Sequence, residues 1–141
     1  MAELEVVIEE LQRALRAFAK GDPEPVKAAF SHSDDVVLAN PFGPAVSGWQ
    51  QVADTLDYAS SRFREGDVTS FETIGRYIGP DLATIHDVER WQAKVGDDDE
   101  LSSFDLRVTS TYRREGGGWK LAHRHADPIA TPDARGPLRD R

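Results

Sequence analysis

Apolar residues recur at spacings of three and four through Leu4, Val7, Ile8, Leu11, Leu15 and Phe18, while Glu5, Glu9, Arg13 and Arg16 fall mostly on the other side. This pattern predicts an amphipathic helix over Leu4–Ala19, ended by Gly21 after Lys20. Asp22 and Pro23 open a short second helix over Glu24–Phe30, with Asp22 as N-cap and Pro23 at the first helical position. Asp35–Ala39 reads as a short apolar strand. Asn40–Gly48, NPFGPAVSG, has two prolines and two glycines and predicts a loop. Trp49–Phe63 predicts a third helix with Trp49, Val52, Ala53, Leu56 and Phe63 toward the core. The period then changes to two. Val68–Ile78 and Leu82–Val95 flank the break Gly79-Pro80-Asp81, and Leu101–Glu115 follows the acidic turn Gly96–Glu100. Gly116–Gly118 leads into a last strand, Trp119–Ala126. Helices first and antiparallel strands afterwards predict an α+β domain over residues 1–128, in which one curved sheet buries a face against the helices. Residues 129–141, rich in Pro, Asp and Arg, are expected to form a flexible tail.

The 141 residues, 39% of them hydrophobic, suit one domain with its own core. A formal net charge of -8, with scattered arginines, argues against a nucleic-acid binder, which needs a basic stripe. With no cysteine there is no disulfide, thiol chemistry or thiolate metal site. No apolar run is long enough to span a membrane, and MAELEVVIEELQ is acidic and amphipathic, unlike a signal peptide. The expectation is a cytoplasmic protein with neither nucleic-acid nor membrane partners.

The candidate chemistry concentrates in Leu106–Pro128, LRVTSTYRREGGGWKLAHRHADP. This segment reads as two alternating strands around a glycine-rich turn. Simple alternation puts Trp119, Leu121, His123, His125 and Asp127 on one face of the second strand, and Lys120, Ala122, Arg124 and Ala126 on the other. A tryptophan, two histidines and a carboxylate facing one way mark the wall of a pocket.

The element order, with the segments DDVVLANPFGPAVSGW and RREGGGWKLAHRHADP, resembles the SnoaL-like branch of the nuclear transport factor 2-like superfamily over residues 3–128. The ending G-W-K-x-x-H-x-H is also similar to the association domain of calmodulin-dependent kinase. The resemblance implies a cystatin-like α+β barrel, in which a cone-shaped, curved antiparallel sheet wraps around the N-terminal helices and encloses a pocket for a small organic molecule. It also implies a homodimer through the outer sheet face, with polar groups lining the cone and Phe104, Leu106, Val108 and Tyr112 covered by the partner. Amphipathicity alone would instead turn that apolar face inward. Following the resemblance, Asp87, Glu89, Trp91, Arg107, Thr109, Thr111, Trp119, His123 and His125 surround the cavity. Asn40, Phe42, Trp49 and Tyr58 join them as ligand contacts, Phe42 from a loop at the cone mouth.

Several chemistries fit this set. A histidine in a cavity titrates near neutral pH, which makes His123 or His125 the candidate proton-transfer group, with Arg107 and Glu89 or Asp87 as electrostatic partners. Asp87 or Glu89 with Arg107 would also imitate the Asp-Arg-Asp grouping of limonene-epoxide hydrolase relatives. Alternatively the two histidines only hydrogen-bond their neighbours. His-x-His with Glu89 or Asp127 is too sparse a set for a metal, and neither metal nor cofactor is expected. His32 is expected at the end of the second helix, and His86 on the outer face. The catalytic groups of ketosteroid isomerase, a member of the same superfamily, would fall on Ala14, Asn40 and Ser110, none of which is a phenol or an acid. Steroid isomerisation is therefore not expected. Three function classes stay open: an enzyme of isomerase, cyclase or hydratase type, a non-catalytic ligand-binding domain, and a dimerising association module.

Overall fold

The computed structural model describes residues 3–41 and 43–129. Helix α1 (Leu4–Ala19) buries Leu4, Val7, Ile8, Leu11, Leu15 and Phe18, the stripe its periodicity marks, and Ala14 and Ala19 with them. Helix α2 (Glu24–Ala29) starts one residue later than the sequence suggests. Pro23 is its N-cap, and the Asp22 carboxylate accepts the Glu24 N–H at 3.0 Å. Strand β1 (Val37–Ala39) precedes the predicted loop, but the two-residue strand β2 (Val46–Ser47) falls inside it and pairs with β1, and Gly48, at φ 91°, turns the chain into α3 (Trp49–Ser61). Phe63 begins strand β3 (Phe63–Ile78) rather than ending a helix. Strands β4 (Leu82–Val95), β5 (Ser102–Glu115) and β6 (Gly118–Pro128) complete the chain. Of the expected tail, Ile129 donates its N–H to the Asp105 carbonyl at 2.8 Å, and residues 130–141 lie outside the described residues.

The strands form a single curved, unclosed sheet in the order β2-β1-β6-β5-β4-β3, with the helices against one side. The sheet is mixed rather than wholly antiparallel, because β1 runs parallel to β6. No hairpin joins these two strands, so nothing forces them to be antiparallel. β3 carries three register shifts. At the first, Gly66 lies so close to the Ala19 carbonyl and to Ala93 that a Cβ there would meet both at 2.6 Å. Bulges of this kind bend a strand, and here the bend lets β3 close over the end of α1. At the opposite end Arg113 clasps the segment ahead of β1. It donates to Asp35 at 2.7 and 3.0 Å, to Glu115 at 2.8 Å and to Ser33 at 2.9 Å.

The faces of the sheet correct the reading taken from the resemblance. On β4 the inward residues are Asp87, Glu89 and Trp91, as expected, together with Ala83, Ile85 and Ala93. Residues directly opposite in a ladder share a face. The register therefore carries Leu106, Val108, Ser110 and Tyr112 inward with them, and Phe104 packs against the same core. Arg107, Thr109 and Thr111 are on the outer side. On β6 Trp119 and Leu121 point inward, but a register shift leaves Ala122 as an extra residue, and from there Arg124 and Ala126 are the buried ones. His123 and His125 thereby turn outward, beside Thr111 and Thr109. One bulge reverses the alternation assumed for the second half of the strand. Leu106→Ala should therefore cost about 2–5 kcal/mol in urea denaturation, whereas Thr109→Ala should stay within about 0.5 kcal/mol. The reverse order would contradict these faces.

Candidate functional site

The inner wall carries one complete polar centre. Glu89 is buried, and Arg124 from β6 grips it with a fork of hydrogen bonds, Nη1 to Oε2 at 2.9 Å and Nη2 to Oε1 at 2.8 Å. The Trp91 indole N–H adds a bond to Oε1 at 3.0 Å. A planar guanidinium matches a carboxylate in this way where an ammonium cannot. Burial works against the charge on Arg124, but the charge and hydrogen bonds of Glu89 outweigh it and hold the guanidinium firmly protonated. The cation beside Glu89 is Arg124 and not Arg107, which sits exposed opposite Val88 and Asp127. A signal for Arg124 was present in the sequence, since on its own face of the strand it stands between the small apolar Ala122 and Ala126.

Arg124 and Trp91 also line a cleft whose other walls include Phe18, Leu38, Asn40, Phe63 and Phe104. Its aromatic side is a cluster, with ring centroids 5.6 Å apart for Phe63 and Trp91 and 5.8 Å for Trp91 and Phe104. Out to its open mouth the cleft measures about 460 Å³, but the clear space inside is about 40 Å³, room for a water or two. Glu89 occupies both terminal nitrogens of Arg124 with one bond each, which leaves further N–H groups on a side chain of the cleft wall.

Asp87, one inward position further along β4, is different. Its Oδ1 is buried and, among the described residues, has no hydrogen-bond partner. Burial pushes its carboxyl above the ordinary aspartate value, Thr73 opposes this through a hydrogen bond, and the neighbouring Glu89 adds to the rise. Tyr112, buried nearby, is pushed up mainly by burial as well.

The remaining candidates are dispersed. On the outer face His86 Nδ1 lies 3.3 Å from Thr109 Oγ1, His123 Nδ1 lies 3.4 Å from Thr111 Oγ1, and Thr84 and Thr111 meet at 3.5 Å. His125 Nε2 pairs with Asp127 at 2.9 Å. Partial burial and the nearby His125 lower the pKa of His123. Trp49 stacks on His32 at 3.8 Å, away from the cleft. Trp119 is buried at the far end of β6 with the Arg114 guanidinium 4.6 Å above its ring. Tyr58 is exposed in a separate recess with Pro44, Asp54 and Thr55, reached from the same Asn40 that borders the cleft. Phe42 lies outside the described residues. Among those described, no group of three or more His, Asp or Glu is placed to hold a metal ion, and no helix is long and apolar enough to cross a membrane.

Helices on one side of a single curved sheet, with a cleft between the two layers, define an α+β cone of the nuclear transport factor 2-like kind. The chain belongs to the SnoaL-like domain family, whose model matches residues 7–131. Its fold is shared with a nuclear transport factor 2-like superfamily protein from Salmonella enterica serovar Typhimurium at a TM-score of 0.73 and 18% identity, covering 94% of this chain and 97% of that one. It is also similar to a proposed dehydratase of the same family from Streptomyces avermitilis (TM-score 0.72, 19% identity, 91% and 94% covered). A third similar structure is a ketosteroid isomerase-like protein from Erwinia carotovora atroseptica (TM-score 0.69, 19% identity, 92% and 98% covered). None of the curated proteins matches.

Two measurements test the inner wall. Glu89→Gln should destabilise the fold by about 3–5 kcal/mol, because it leaves Arg124 buried without a counter-charge, whereas Glu89→Met with Arg124→Leu should recover most of that loss. For Asp87 the folded pKa lies above the ordinary 3.8, so the native state holds the proton more tightly than the unfolded chain does. Its contribution is therefore most favourable below that value and is lost as pH rises through the folded pKa. The denaturation midpoint of Asp87→Asn should accordingly rise relative to wild type as the pH increases from below the ordinary aspartate value to above the folded one. A constant difference would remove Asp87 as a strained acid.

Proposed function

We propose that this chain binds a small, mainly apolar organic molecule in the cleft bordered by Trp91, Phe104, Asn40 and Arg124. The observation that carries this reading is the combination of an aromatic wall with a guanidinium whose counter-ion is already supplied from within the protein. Arg124 can then donate to an oxygen of the ligand without needing that ligand to be an anion. The small clear space means that a bound molecule must widen the mouth, so binding is coupled to movement of the surrounding side chains. Chemistry on such a ligand would be acid–base chemistry of isomerase, cyclase or hydratase type, and it would draw on the inner side of the sheet, where Arg124 borders the cleft, ahead of His123 and His125 on the outer face. The positions that resemble the ketosteroid isomerase groups support the absence of that activity. Ala14 and Ser110 are buried and Asn40 borders the cleft, and none of them is an acid or a phenol. Benzyl alcohol and cyclohexanone should raise the melting temperature and change the Trp91 fluorescence of the wild-type protein, and Ala59→Trp, which fills the cleft, should abolish both effects. No response to either compound would remove this reading.

A second reading, a homodimer or association module, is favoured by the outer sheet face. Thr84, His86, Thr109, Thr111 and His123 are partly buried although no helix among the described residues covers them. The partner surface in this reading is that threonine–histidine face, since Leu106, Val108 and Tyr112 are used in the core. Sedimentation of wild type as a dimer and of Thr109→Arg as a monomer would support it, and a wild-type monomer would end it.

A further inference from the structure

We infer that the ligand of the cleft has a second half, a ring bearing a neutral hydrogen-bond donor such as a hydroxyl, and that this half lies outside the cleft against Tyr58. This rests on the small-molecule reading of the cleft and adds the shape and polarity of what it takes. Two hollows meet at the mouth, because the cleft and the recess beside Tyr58 both have Asn40 and Ala59 in their walls. Local geometry explains the arrangement. On α3, Leu56 and Ala59 are three residues apart and Thr55 and Ala59 are four apart, so Ala59 stands where the inward stripe of the helix meets its flank. The side chain at that shared position is only a methyl group. From the sheet side Asn40 follows directly on β1, which the register of Leu38 with Arg124 holds beside β6.

Volume decides where the bulk of a ligand goes. The clear space is about 280 Å³ in the recess and about 40 Å³ in the cleft. A cavity of about 150 Å³ is enough for a benzene ring. The recess therefore takes a ring as it stands, while the cleft takes one only when its side chains move. The recess also supplies matching surfaces. The Tyr58 ring is 61% exposed, and Pro44 adds a second flat apolar wall. Together they offer a face on which a further ring can stack. Asp54 is the one charge among the described residues of this lining, and its Oδ1 accepts from Gln50 at 3.1 Å. A carboxylate only accepts, so beside it, on a chain of net charge -8, a hydroxyl is favoured and a second carboxylate disfavoured.

Benzyl alcohol carries one ring, and 4-benzyloxyphenol joins that ring through an ether link to a phenol. The third probe, 4-benzyloxybenzoate, replaces the phenol hydroxyl by a carboxylate. In titration calorimetry 4-benzyloxyphenol should bind wild type about tenfold more tightly than either of the others. Tyr58→Ala removes the stacking face, and Thr55→Trp fills the recess. Each should bring 4-benzyloxyphenol down to the level of benzyl alcohol and leave benzyl alcohol itself unchanged. The ring-proton resonances of Tyr58 give a readout independent of affinity, displaced by 4-benzyloxyphenol and unmoved by benzyl alcohol. Equal binding of the one-ring and two-ring alcohols by wild type, or an advantage that survives either variant, would overturn the inference while leaving the cleft as a ligand site. Carboxylate and phenol binding equally well would do the same. Binding of none of the three would overturn the cleft reading as well.

Discussion

The buried pair of Glu89 and Arg124 is the constraint around which the sheet is arranged. A buried carboxylate between Trp91 and Leu106 is tolerable only with a full counter-charge and bonds on both oxygens, and β6 must deliver that counter-charge from two strands away. Trp119 and Leu121 already occupy the inner face of β6. Strict alternation would then carry Arg124 to the outside. The extra residue at Ala122 resolves the conflict, since it lets Leu121 and Arg124 face the same way. The same bulge turns His123 and His125 out. The position of the histidines is thus a consequence of where the arginine has to go.

Glu89 and Asp87 sit on the same face of the same strand, and their difference separates stability from function. Glu89 is satisfied and rigid, and its natural role is to fix β6 against β4 and hold Arg124 at the cleft. Asp87 is incompletely satisfied and raised by burial, a cost without a packing benefit. Reactive or ligand-facing groups are expected among residues of the second kind. Superfamily membership does not decide between them, because one cone hosts different chemistries and assembly roles through the few side chains that differ inside it.

Much of the architecture was legible in the chain itself. The apolar stripe of α1 is a local property, and so are the stop at Gly21, the hairpin break at Gly79-Pro80-Asp81 and the glycine turn before Trp119. Each follows from the spacing or the backbone freedom of neighbouring residues. The inward set of β4 was legible too, since a strand that alternates Ile85, Asp87, Glu89 and Trp91 without a bulge keeps its parity throughout. The cleft was legible only in part. Asn40 and Trp91 border it, but Trp49 is drawn to His32 and Trp119 lies under Arg114.

What the sequence determined by itself is the set of elements, their order and the chemical types available to line a cone, because these depend on contacts within a few residues. Tertiary structure alone decided which face of β5 looks inward and which arginine meets Glu89. Those outcomes depend on cross-strand register and on a single inserted residue at Ala122, and an alternating pattern reads the same on either side of such a shift until a partner strand fixes it.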